Sequence, residues 1–157
     1  MCVPAANPMN TANQKIPEHD TELRLRTMRT IWLALLASIG MYFMLTLVVG
    51  RPEDVTSNNT LSLILMVLAI SATLASFLVK SKLLNQALDQ QQPPLVQRAY
   101  VIAWAINEVA AILGFVDFLR GGDRYYYLLF VIAAVGHLLQ FPRREHVENA
   151  AMKRPAF

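Results

Sequence analysis

The sequence has little of what soluble chemistry usually needs. A single cysteine, Cys2, in 157 residues excludes an internal disulfide and a cysteine-built metal site. Charged residues make up only 16%, against about 25% in soluble domains. The three histidines, His19, His137 and His146, fall in tails or at different depths, so no metal set is expected. A haem held by His137 would want a second histidine within the membrane, and none is there. Neither a nucleotide-binding loop nor a nucleophile motif is present. The expectation is therefore no enzyme, no cofactor and no nucleic-acid partner. Residues 1–14 are polar and contain proline, with no apolar core, so no cleavable signal peptide is expected.

What is abundant is uninterrupted hydrophobicity. Hydrophobic residues make up 55%, gathered in four runs. Residues 30–50, 61–79 and 125–142 carry no charge, and residues 97–119 carry, beyond Arg98, only Glu108 and Asp117. A helix needs about 20 mostly apolar residues to cross the roughly 30 Å hydrocarbon core. The first three runs meet this and the fourth is at the short end. No run alternates apolar and polar residues as a barrel strand does. The expected fold is an all-α, four-span membrane helix bundle, occupying residues 20–144 and flanked by a disordered tail over 1–19 and a second tail over 145–157.

Basic residues fix the expected orientation. Lys15, Arg24, Arg26 and Arg29 precede the first span; Lys80, Lys82 and Arg98 lie between the second and third; Arg143, Arg144, Lys153 and Arg154 follow the fourth. These eleven share one side, against Arg51, Arg120 and Arg124 on the other. Basic residues in short loops stay cytoplasmic, so both ends are expected inside; for a bacterial chain the membrane is the inner one. Locally, Asp20 suits a helix N-cap. Leu83, Leu84, Ala87 and Leu88 continue the second helix past the membrane as an amphipathic extension, which Pro93-Pro94 ends. Gly121-Gly122-Asp123 joins the third and fourth spans as a tight hairpin. Tyr125, Tyr126 and Tyr127 follow at the outer interface.

The polar residues inside the spans carry whatever chemistry exists. Glu108 lies near the middle of the third span, about 15 Å from Arg98 at 1.5 Å per residue. A charge at that depth costs on the order of 2.5–3.5 kcal/mol on insertion scales. Such groups face the protein interior, find a partner or hold a proton. His137 falls at a similar level once the spans fold about Gly121-Gly122, and it is the candidate partner. Asn107 and Ser71, together with Ser38 and Thr73, complete a candidate mid-membrane layer. Ala99, Ala103, Asn107, Ala110 and Gly114 form a small-residue stripe of the kind that lets helices approach closely in lipid. The first span is bulkier and reads as lipid-facing. Asp117, one turn from the outer end, is expected to reach water or Arg120.

The run Asn107-Glu108-Val109-Ala110-Ala111-Ile112-Leu113-Gly114-Phe115-Val116 resembles the ion-carrying helix of rotary ATPase proteolipid (c) subunits. Residues 69–76 resemble the small-residue stripe of their first helix, and Gln90-Gln91-Gln92-Pro93-Pro94 their polar hairpin loop. The resemblance covers about residues 61–119 and implies that Glu108 matches the ion-binding carboxylate. The chain as a whole is similar to small four-span bacterial membrane proteins that share the Glu and the final Pro-Arg-Arg pattern, a group with no assigned activity. Two functions follow. Small size, short loops and the lack of an aqueous domain fit a structural or accessory subunit, with other membrane subunits or further copies of the chain as partners. The alternative is a proton- or cation-handling protein using Glu108.

Overall fold

The computed structural model describes residues 18–50, 59–121 and 125–151. It is all-α: α1 (Glu18–Val49), α2 (Asn59–Asp89), α3 (Pro93–Leu119), α4 (Tyr127–Leu139) and α5 (Arg144–Ala151). Three of these, α1 to α3, are long and apolar enough to cross a membrane; α4 is apolar but has 13 residues, a rise of about 20 Å. The loop over residues 51–58, most of the Gly-Gly turn and the two chain ends lie outside the described residues.

α1 already includes Asp20, two residues after its first described turn begins, so Asp20 is not its N-cap. α2 continues as one helix to Asp89 and stops in a Schellman arrangement. The Gln92 amide donates to the Ala87 carbonyl at 3.1 Å and that of Gln91 to Leu88 at 3.3 Å. Gln91 occupies the left-handed position, with φ +51°, where glycine is usual. Gln92 then stays extended (φ −117°, ψ 97°) with prolines opening α3, because a residue before proline is kept out of the helical region.

α3 is the central helix. Its buried side includes Ala99, Ala103, Asn107, Ala110 and Gly114, and it packs most extensively on α2, then on α4 and α1. The approach to α4 is close: a Cβ on Gly114 would meet Leu129 Cβ at 3.0 Å and the Phe130 ring at 3.2 Å. α4 runs antiparallel to α1. Phe43 meets Phe130 with ring centroids 5.6 Å apart, and Trp32 meets Phe141 at 5.2 Å. The described part of residues 145–157, expected as a tail, lies in α5. Val147 and Ala150 lie one turn apart and join Leu25, Met28, Trp32, Ala87, Tyr100 and Trp104 in one apolar cluster.

Candidate functional site

The polar side chains within the apolar helices fall into separate groups. The largest surrounds the end of α4. The Trp32 indole N–H donates to the His137 carbonyl at 3.0 Å, and His137 Nε2 donates back to the Trp32 carbonyl at 3.0 Å. Their rings stack with centroids 5.6 Å apart. The Trp104 indole donates to the Gln140 carbonyl at 3.1 Å. A helix leaves its last carbonyls without intrahelical partners, and here two indoles from different helices supply donors to the end of α4. Gln140 Nε2 donates to Ser76 Oγ at 2.7 Å, and Ser76 donates to the Thr73 carbonyl at 2.6 Å. Asn107 Nδ2 donates to the Ala133 carbonyl at 2.8 Å.

Four atoms of this group are buried without a hydrogen-bond partner among the described residues: Thr73 Oγ1, Asn107 Oδ1, His137 Nδ1 and Gln140 Oε1. Gly136 makes the packing possible. A Cβ there would lie 2.5 Å from Asn107 Oδ1 and 2.8 Å from Thr73 Cγ2.

Glu108 belongs to a different surface. It is half-buried on the seam between α1 and α3, where Ser38 Oγ donates to its Oε1 and also lies 3.0 Å from the Leu35 carbonyl. The direct Glu108–His137 partnership does not form: the ring is engaged by Trp32, and Glu108 by Ser38. α1 is thus more than a lipid-facing helix. Ser71 is exposed on α2, away from the buried layer that holds Asn107 and His137. The sequence candidates therefore divide three ways, with Asn107 and His137 in the interior, Glu108 on the seam and Ser71 outside.

Near the C-terminal end of α3 Asp117 is 2% exposed and accepts a hydrogen bond from Ser62 at 2.8 Å. This half-buried partner stands where the sequence suggested water or Arg120. A cavity of about 230 Å³ beside it is lined in part by Asn59, Met66 and Tyr125. At the opposite end the Tyr100 hydroxyl donates to His146 Nδ1 at 2.6 Å and accepts the Arg143 amide at 3.4 Å. Lys80 Nζ sits 4.3 Å from the Tyr100 ring centroid. Burial holds His146 below the usual histidine value, the nearby Lys80 and Arg143 lower it further, and Glu145 opposes them.

Among the described residues no group of three or more His, Cys, Asp or Glu side chains is arranged to hold a metal. The arrangement offers a half-buried carboxyl on a helix seam, Glu108, and a set of side-chain bonds to backbone carbonyls. Trp104, Gln140 and Tyr100 were not singled out from sequence, and Trp32 belongs to the bulky first span that read as lipid-facing but is buried. The available signal was indole and amide groups inside apolar helices, which need a partner wherever they are buried. Comparison of the chain with protein-family models, with curated proteins and with solved structures returns no match.

Proposed function

We propose that this chain is a four-span membrane protein with both ends cytoplasmic, and that it serves as a structural or accessory subunit of a larger membrane complex. The observation that carries this reading is the use of the interior polar groups. Trp32, Trp104, Asn107 and His137 all bond backbone carbonyls of neighbouring elements, which holds the helices in place. Outward, α1 and α2 present long apolar faces, including Met41, Met44, Leu47, Leu63, Val67 and Leu74, which suit lipid and neighbouring subunits.

The ends of α4 support its role as the fourth span. Phe141 lies beside Trp32 and 6.0 Å from the Arg29 guanidinium, at the level where the apolar part of α1 begins. Tyr126, at the other end, meets Phe118 near the end of α3 with centroids 5.2 Å apart. The segment around α4 thus matches the height of its neighbours, and the two indole donors make a short helix tolerable in lipid, where an unsatisfied carbonyl is costly. Lys80, Arg143 and Arg29 gather at one end, consistent with the basic bias. The test is the mass of the particle purified in mild detergent. A second polypeptide in fixed stoichiometry is expected; a homogeneous particle containing only the 17.6 kDa chain as a monomer would refute the subunit reading.

The second reading, proton or cation handling, is favoured by Glu108 itself: a carboxyl on the α1–α3 seam with one hydroxyl partner. It requires pH-dependent labelling of Glu108 by a carbodiimide, and loss of cellular activity in Glu108→Gln with the fold intact. Full activity of that variant would remove it.

A further inference from the structure

At the cytoplasmic end of α1 the described residues form a groove with a chemistry of its own. α1 and the first residue of α5 enclose a cavity of about 590 Å³ whose lining includes Glu22, Leu23, Arg26, Arg29, Leu33 and Arg144. From Glu22 to Leu33 it follows α1 for about 16 Å. Its character changes along that length. Glu22 and Leu23 lie at its start, Arg26 and Arg29 along its middle, and Leu33, 58% exposed, continues it down the apolar face of α1; Arg144 lines it from α5. Thr30, also in the lining, donates to the Arg26 carbonyl at 3.0 Å. The Arg29 guanidinium is steadied over the Phe141 ring, 6.0 Å from its centroid. Arg144 is paired with Glu148 at 2.5 Å. Carboxylates stand beside these guanidinium groups, Glu22 in the lining and Glu148 on Arg144.

We propose that this groove binds an anionic phospholipid of the cytoplasmic leaflet, with its phosphate among Arg26, Arg29 and Arg144 and the start of an acyl chain along Leu33. Guanidinium groups present paired donors that match phosphate oxygens. The groove lies at headgroup level if α1 enters the bilayer near Thr30, so the inference rests on the membrane reading above. Its apolar continuation is what selects a lipid over free phosphate, which would use only the cationic part. Among the helix pairs in contact, α1 and α5 pack least against one another, and a lipid seated there ties them together.

The experiment is native mass spectrometry of the full chain in detergent, given equal amounts of phosphatidylglycerol and phosphatidylcholine with the same acyl chains. Preferential retention of phosphatidylglycerol is expected. Arg29→Gln should weaken it about fivefold, the factor that one basic residue at an anionic membrane surface contributes, and Arg29→Lys should weaken it less. Arg26→Gln and Arg144→Gln provide the same readout should Arg29→Gln fold poorly. Lys82→Gln, an exposed basic residue on α2 outside the groove, should change nothing. Equal retention of the two lipids, or equal losses in Lys82→Gln and Arg29→Gln, would overturn the site. Complete displacement by millimolar inorganic phosphate would also overturn it, by showing that the acyl chain plays no part. Absence of lipid preference in a chain that still resists alkaline extraction from membranes removes the groove alone; extraction at alkaline pH removes the membrane reading as well.

Discussion

Gly136 is the position where the helix packing leaves least room, and Gly136→Ala measures how firmly. The new Cβ would lie 2.5 Å from Asn107 Oδ1 and 2.8 Å from Thr73 Cγ2. Neither neighbour yields freely. Asn107 is held by its 2.8 Å bond to the Ala133 carbonyl, and Thr73 is β-branched, stiff at χ1 and 9% exposed. Relief requires α4 to move away from α2 and α3, at about 1–3 kcal/mol for overpacking, or Asn107 to surrender a bond worth about 0.6–1.7 kcal/mol within a membrane. Alanine's better helix propensity returns up to about 1 kcal/mol, so the net loss should centre on about 1 kcal/mol and reach at most about 3 kcal/mol. Thermal unfolding in a fixed detergent reads this directly. In an Asn107→Ala, Thr73→Ser background both obstructing atoms are gone, and Gly136→Ala should become neutral or stabilising. A Gly136→Ala protein as stable as wild type, or an equal penalty in both backgrounds, would refute the reasoning.

Gln91→Gly should stabilise the protein by about 0.5–1 kcal/mol, since it removes the steric cost of a left-handed non-glycine residue; an unchanged or lower unfolding temperature would count against it. His146 is held below its ordinary value of 6.5, so the fold favours its neutral form: α5 docking is complete above about pH 6.5, weakens as pH falls toward the lowered folded value, and levels off below it. Hydrogen exchange of the α5 amides should follow that curve, and His146→Phe should flatten it. In a Cys2→Ser background, cysteines placed at Asn59 and Glu145 should be labelled by an impermeant thiol reagent from opposite sides of intact cells, Asn59 from outside; labelling of Glu145 from outside would reverse the orientation.

The all-α class and the three long apolar helices were legible because charge-free runs and prolines are one-dimensional signals. The turn at Pro93-Pro94 is of the same kind. Side-chain partners were less so, because depth along a helix is readable from residue counts but direction around it depends on the neighbour. His137 does fall near the level of Glu108 on that count. Glu108, however, is one residue and about 100° beyond Asn107, and it is Asn107 that faces α4. The same one-residue turn carries Glu108 to α1 and Ser38, a helix whose bulky side chains suggested lipid contact. Ser71 and Thr73 make the point again: two residues apart on α2, one is exposed and the other buried. α5 escaped notice because eight residues with Val147 and Ala150 as their main apolar anchors give almost no periodic signal, and its order depends on the cluster it joins.

The interior polar groups share one physical task. α4 ends at Leu139, and the His137 carbonyl near that end accepts both the Gln140 amide at 3.1 Å and the Trp32 indole at 3.0 Å. Indoles suit that position because they bring a single donor on a large apolar body, and Trp32 and Trp104 supply it from two different helices. Ser76 and Gln140 bond each other near the same end, and Asn107 secures α4 one turn earlier. This demand accounts for His137 as well, since its ring returns the bond that Trp32 makes. It does not account for Glu108. A glutamine there would accept the Ser38 bond equally well without the cost of an ionisable group in lipid. Glu108 is therefore the residue on which the two proposed readings, structural subunit and proton or cation handling, divide.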